Sequence, residues 1–207
     1  MENRIISLWL LLTLTGCAGP NPNIGERTTD YAWLSGNFSK AYDTVKPHAD
    51  AGEPWAQLRL GILYSNGWGV EHNMYSAVKW YEKAAAQKAD GDWAEGVMIG
   101  SIGRAGYFNQ NSDARIAQYN LAVTFFNGVG INRDIIKSYI NIRTVVEETN
   151  GKPIFFCCEF EGNGRYFTPE QISDLYNEVL KNMTSEEKLE AEKIFSQNYK
   201  NSLHYAP

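Results

Sequence analysis

The chain has little histidine and little cysteine, three residues of each in 207. His48, His72 and His204 are scattered along it, which excludes a histidine-built metal centre, and each reads as a solvated surface residue. No Cys-x-x-Cys pair is present, so a dithiol redox motif is excluded. Basic residues are outnumbered, 19 Lys and Arg against 24 Asp and Glu, and the net charge of −5 argues against a general nucleic-acid binder. No uncharged apolar run reaches about 18 residues, which excludes a multi-span membrane protein. The sequence lacks His-Glu-x-x-His, Gly-x-Ser-x-Gly and a Walker loop. The acidic pairs Glu147-Glu148 and Glu186-Glu187 are helical neighbours that point different ways, so they read as solvated helix ends and not as facing catalytic carboxylates. No catalytic residue, no metal and no cofactor is therefore expected.

What the chain does have is aromatic mass: 6 Trp, 12 Tyr and 9 Phe. Side chains of this kind do not stay solvated, so most of the chain must fold around a core. The first residues are an exception. Residues 5–14 (IISLWLLLTL) are apolar but ten residues long, about half of what a bilayer requires. That length suits the apolar region of a secretory signal. Leu14-Thr15-Gly16-Cys17 follows and resembles a bacterial lipobox. The resemblance implies cleavage after residue 16, lipid on Cys17, and an anchor in the periplasmic face of the outer membrane, since residue 18 is Ala and not Asp. Several acyl chains together satisfy the requirement for stable anchoring. Residues 17–29, rich in Pro, Gly and Asn, read as a flexible tether, with folded protein from about Asp30.

Self-similarity organises the next stretch. Residues 56–81 align without a gap on residues 117–142, a shift of 61. Ala56/Ala117, Gln57/Gln118, Leu60/Leu121, Asn66/Asn127, Gly67/Gly128 and Gly69/Gly130 are identical pairs. Each unit reads as helix, glycine turn, helix. In the second helix Ala77, Val78, Trp80, Tyr81, Ala84 and Ala85 share one arc at 100° per residue, opposite Ser76, Lys79, Glu82 and Lys83. The paired glycines recur at matched positions and read as structural turns, not as phosphate cradles.

Ala56, Leu60, Gly61, Tyr64, Gly67, Gly69, Val70, Ala77, Trp80, Tyr81, Ala84 and Ala85 follow the consensus of the Sel1-like repeat family, which the chain resembles here. Asn73 stands at the usual Asp position and Asp134 supplies it in the later unit; Asn141-Ile142 departs from the family's Trp-Tyr. Residues 39–52 look like a second repeat helix alone. Trp93-Ala94-Glu95 echoes Trp55-Ala56-Gln57, so residues 93–111 read as a degenerate unit without the glycine turn. The resemblance implies an all-α, Sel1-like or TPR-like helical-hairpin solenoid. The expected division is 1–16 signal peptide, 17–29 lipidated tether, 30–149 repeat region with one degenerate unit, and 150–207 an irregular segment with C-terminal capping helices.

In that last part, Asn150-Gly151-Lys152-Pro153 is a turn. Residues 154–160 (IFFCCEF) are an apolar run too short to assign to helix or strand. Cys157-Cys158 fits two readings: small buried residues, or a labile vicinal disulfide or other redox link. Thr168-Pro169-Glu170-Gln171 reads as a capping box opening a helix to about Asn182, and Thr184-Ser185-Glu186-Glu187 opens another to about Tyr199.

The first helix of each unit is apolar on both faces. Opposite the consensus arc lie Leu58, Arg59 and Ile62 in the first unit and Tyr119, Asn120, Val123 and Phe126 in the second. Either the helix is sandwiched between its neighbours, or these residues and Trp68 line a partner-binding groove, for which Tyr, Trp and Arg are apt types. Proteins with Sel1-like repeats generally act as adaptors. Small envelope members include immunity proteins against phospholipase toxins delivered by type VI secretion, and this chain resembles them in size, anchor and repeat type. The resemblance thus implies a non-catalytic lipoprotein that binds and occludes a periplasm-active toxin. An envelope scaffold for an endogenous protein is the alternative. Membrane contact is expected only through the anchor.

Overall fold

The computed structural model describes residues 24–87, 93–94, 107–108, 112–156 and 165–203. Eight helices dominate: α1 (Ile24–Leu34), α2 (Phe38–Asp50), α3 (Pro54–Asn66), α4 (Met74–Ala85), α5 (Ser112–Asn127), α6 (Ile135–Thr149), α7 (Pro169–Lys181) and α8 (Ser185–Leu203). Two short antiparallel ladders accompany them, β1 (Trp93–Ala94) with β2 (Tyr107–Phe108) and β3 (Ile154–Phe156) with β4 (Arg165–Phe167). Each helix from α1 to α6 packs on the next, α3 also reaches α5, and α6 packs on both α7 and α8. The result is an all-α, TPR-like solenoid of stacked helical hairpins.

The two central hairpins, α3–α4 and α5–α6, are built alike. Gly67 closes α3 in the left-handed region at φ +67°, and Gly128 does the same for α5 at φ +66°. The chain then crosses back, and the amides of Asn73 and Asp134 donate to the carbonyls of Tyr64 and Phe125, each at 3.0 Å. Asn73 and Asp134 then cap the second helices, accepting from the amides of Ser76 and Lys137 at 2.9 Å. The Asn-for-Asp exchange therefore leaves the cap in place. In α4, Ala77, Tyr81 and Ala84 are buried, as the arc predicts.

Two expectations are corrected. The helical chain begins at Ile24, inside the stretch expected to be tether, because Thr29, Ala32 and Trp33 are buried and Asp30 is paired within the fold. The helix expected at residues 39–52 is not alone, since α1 is its hairpin partner. The degenerate unit expected at residues 93–111 lies mostly outside the described residues, and α4 packs directly on α5.

The C-terminal helices agree with their local signals. The Thr168 hydroxyl accepts from the Gln171 amide at 3.3 Å, while the Gln171 side chain accepts from the Thr168 amide at 3.0 Å. Thr184 and Glu187 repeat the exchange at 3.2 and 2.8 Å. Residues 154–156 form a strand, and Ile154 and Phe167 are buried where the β3 strand meets α5. Cys17, Cys157, Cys158 and His204 lie outside the described residues.

Candidate interaction surface

The expected groove residues lie chiefly in the seams between helices. Leu58 and Ile62 are fully buried, and Val123 and Phe126 are buried too. Helices α3 and α5 are covered on both sides, by their own hairpin partners and by the neighbouring units. That is why their apolar residues run all the way round. Arg59 is buried and pairs with Asp30 of α1 at 2.7 Å, with its guanidinium 5.1 Å from the centre of the Trp55 ring. Its place in a partner groove is thereby withdrawn, along with those of Leu58, Ile62, Val123 and Phe126.

The three remaining groove residues are half-buried, each against this chain itself. Trp68 stacks on Phe38 at 4.8 Å and meets Trp33 edge-on at 5.8 Å, so it joins the first hairpin to the second. Tyr119 lies 4.9 Å from Phe167, which covers it from the β3–β4 ladder. Asn120 hydrogen-bonds the hydroxyl of Tyr81, which also bonds Ser65 at 3.0 Å. Burial pushes the Tyr81 hydroxyl well above its ordinary pKa, so it stays protonated and can donate within this network.

Buried charge ties the stack together. Arg115 on α5 pairs with Glu148 on α6 and also donates to Gln118 at 2.6 Å. Glu148 keeps 31% of its side chain exposed near the end of α6, and it pairs with Arg115 as well. Burial lowers the Arg115 guanidinium and raises the Glu148 carboxyl, each partly restored by the other. Burial also raises Asp113, with Asp30 adding to the rise and Arg59 opposing it. His48 is half-buried and meets Glu53 at 2.6 Å, while His72 is exposed in its turn. No group of three metal-ligating side chains occurs among the described residues. No helix among them is long and apolar enough to cross a membrane.

The stack leaves large apolar residues outward on α1 (Tyr31), on α8 (Leu189) and along its turn edge. Tyr75 at the start of α4 is 65% exposed and Val129, in the turn after α5, is 53% exposed. Gly130 rests against Met74, so these two exposed residues neighbour one contact. Arg133 is exposed one step further along, and beside it opens a cleft of about 300 Å³ lined by Arg133, Asp134, Ile135, Ile136 and Glu187. An exposed Tyr, an apolar tip and an Arg are types enriched at protein interfaces. Sequence reasoning drew its groove from the first helices and Trp68 and missed Tyr75, Val129 and Arg133, which carry no repeat-consensus signal.

Comparison with known proteins addresses the repeat directly. The Sel1 repeat profile matches residues 56–88 and 115–140. These two stretches, the two central hairpins, are therefore similar to Sel1 repeats. The same helical architecture occurs in a protective antigen of uropathogenic Escherichia coli strains that displays an SLR fold, at 20% identity and a TM-score of 0.53, covering 82% of this chain and 29% of that one. A Sel1 repeat protein from Oxalobacter formigenes is similar at 24% identity and a TM-score of 0.44, covering 60% of this chain and 41% of that one. The chitin synthase regulator SKT5 of Saccharomyces cerevisiae is 44% identical over 50 residues, 24% of this chain and 7% of the regulator. The chain thus spans less than half the length of each of these proteins.

Proposed function

We propose that this is a non-catalytic, protein-binding lipoprotein of the periplasm, held by lipid on Cys17 at the outer membrane, and that it is an immunity protein. It binds a lipase or phospholipase toxin delivered by type VI secretion and occludes it before the toxin reaches lipid. The observation that carries the protein-binding part is the stack of Sel1-like hairpins with Tyr75, Val129 and Arg133 along one outward edge. The lipobox-like Leu14-Thr15-Gly16-Cys17 supports the location. The resemblance in size and repeat type to envelope immunity proteins supports the toxin.

The test is growth rescue. A lipase-like toxin encoded beside this protein is expressed in the periplasm with and without it. Rescue together with a co-purifying complex supports immunity, and neither would appear if the reading is wrong. The second reading, a regulatory adaptor for an endogenous envelope protein, is favoured by the likeness of a 50-residue stretch to a regulator of chitin synthase. It predicts that deletion changes envelope behaviour in cells that carry no toxin.

A further inference from the structure

The two long turns of the stack dock in the same way on the hairpin before them. Gly69 lies so close to the start of α2 that a Cβ there would stand 2.4 Å from the Phe38 carbonyl carbon and 2.6 Å from the Ser39 nitrogen. Gly130 lies on the start of α4, where a Cβ would stand 3.0 Å from that of Met74 and 3.9 Å from the His72 ring. Phe38 and Met74 each open the second helix of a hairpin, and Ile135 is the next in that series. The start of α6 is therefore a third seat for a turn.

The chain does not fill that seat as it fills the other two. The links in the central hairpins span residues 67–73 and 128–134, but the link from α7 to α8 spans only residues 182–184. So short a link carries no glycine turn to lay on the start of α6, and Glu187 in the first turn of α8 borders the seat instead. The cleft lined by Arg133, Asp134, Ile135, Ile136 and Glu187 opens at this place. Its members match the occupied seats: Arg133 stands where His72 does, and Ile135 where Met74 does. Ile135 and Ile136 give an apolar floor. The rim carries both signs of charge, with Arg133 held by its bond to the Phe126 carbonyl at 3.0 Å and Glu187 by its bond from the Thr184 amide at 2.8 Å.

We propose that this cleft receives a glycine-containing reverse turn of a partner protein, continuing the internal seam of the stack. The occupied seats specify the chemistry: the turn needs glycine at its contact point, because a side chain there meets the helix start. The proposal rests on the protein-binding reading and names the surface that carries it. Its specificity comes as much from excluding bulkier tips as from attracting the right one.

The test uses the full-length protein and a probe taken from its own sequence. A cyclised peptide spanning residues 127–134 (NGVGINRD) is titrated into isotope-labelled protein, beside the same peptide with Gly130→Ala. The expected result is amide shifts confined to residues 133–137 and 185–188, with the alanine peptide about tenfold weaker. Absence of shifts at millimolar peptide, or equal response to both peptides, overturns the proposal. No toxin enters this assay, so its failure leaves the immunity reading to growth rescue, and failure of rescue leaves the cleft to this assay.

Discussion

The two central hairpins share a turn and differ in how their helices meet. In the first, Gly61 lets α4 come so near that a Cβ would stand 2.5 Å from the Tyr81 ring, and the Tyr81 hydroxyl then reaches Ser65 and Asn120. In the second, Ala122 and Ile142 take those positions, and Ser138 donates to the Ala122 carbonyl at 2.8 Å. The turn is thus the constant part of the repeat and the helix crossing is the adaptable part. A backbone shape with positive φ at two glycines admits few residues, whereas apolar volume at a crossing can be traded between neighbours. The buried charges differ too. Arg59 of the first hairpin pairs backward, to α1, while Arg115 of the second pairs within its own hairpin, to Glu148.

The largest break in the comparison comes from those arginines. Arg59→Ala breaks the buried Arg59–Asp30 ion pair and should cost about 3–5 kcal/mol in urea unfolding. Arg115→Ala should cost less, because Glu148 on α6 keeps more access to water than Asp30 does. Next come the turns. Gly69→Ala meets backbone and should cost about 3 kcal/mol, against about 1–2 for Gly130→Ala, where the obstacle is the Met74 side chain. Equal losses would show that both turns are limited by φ alone. At the crossing, Gly61→Ala should cost about 1–3 kcal/mol by overpacking against Tyr81. Adding Tyr81→Ile copies the second hairpin and should recover part of that loss in a double-mutant cycle.

Asp113 sharpens the contrast through pH. Its carboxyl is raised in the fold, so folding takes up a proton between the ordinary Asp value and the raised one. The stability it contributes is full below the ordinary Asp range and declines as pH rises through the raised value. Asp113→Asn should flatten that decline in unfolding curves collected across the acidic range. The smallest effect belongs to the caps. Asn73→Asp and Asp134→Asn exchange one good cap for another, and each should shift stability by less than about 0.5 kcal/mol.

Legibility in the sequence followed the range of each signal. The glycine turns and the capping boxes at Thr168 and Thr184 are local signals, the boxes with donor and acceptor three residues apart, and each occurs where its residues indicate. Helix α1 was hidden because what secures it is remote: Asp30 finds Arg59 on another helix, and Trp33 finds Trp68. The interaction surface was hidden for the same reason. Apolar residues on both faces of α5 fit a groove or a sandwich equally well, and the answer lies in the neighbours that cover them. Phe167, which covers Tyr119, comes from a ladder whose residues carry no repeat signal.

The central claim is that the apolar residues of the first helices are seam and that the turn edge faces outward. Paired equilibrium unfolding of Leu58→Ala and Tyr75→Ala tests it most directly. Leu58 is fully buried and Tyr75 is 65% exposed. The account predicts a loss of about 2–5 kcal/mol for Leu58→Ala and a change within about 0.5 kcal/mol for Tyr75→Ala. A Leu58→Ala protein as stable as the wild type, or a Tyr75→Ala protein that unfolds as readily as the buried variant should, would contradict it.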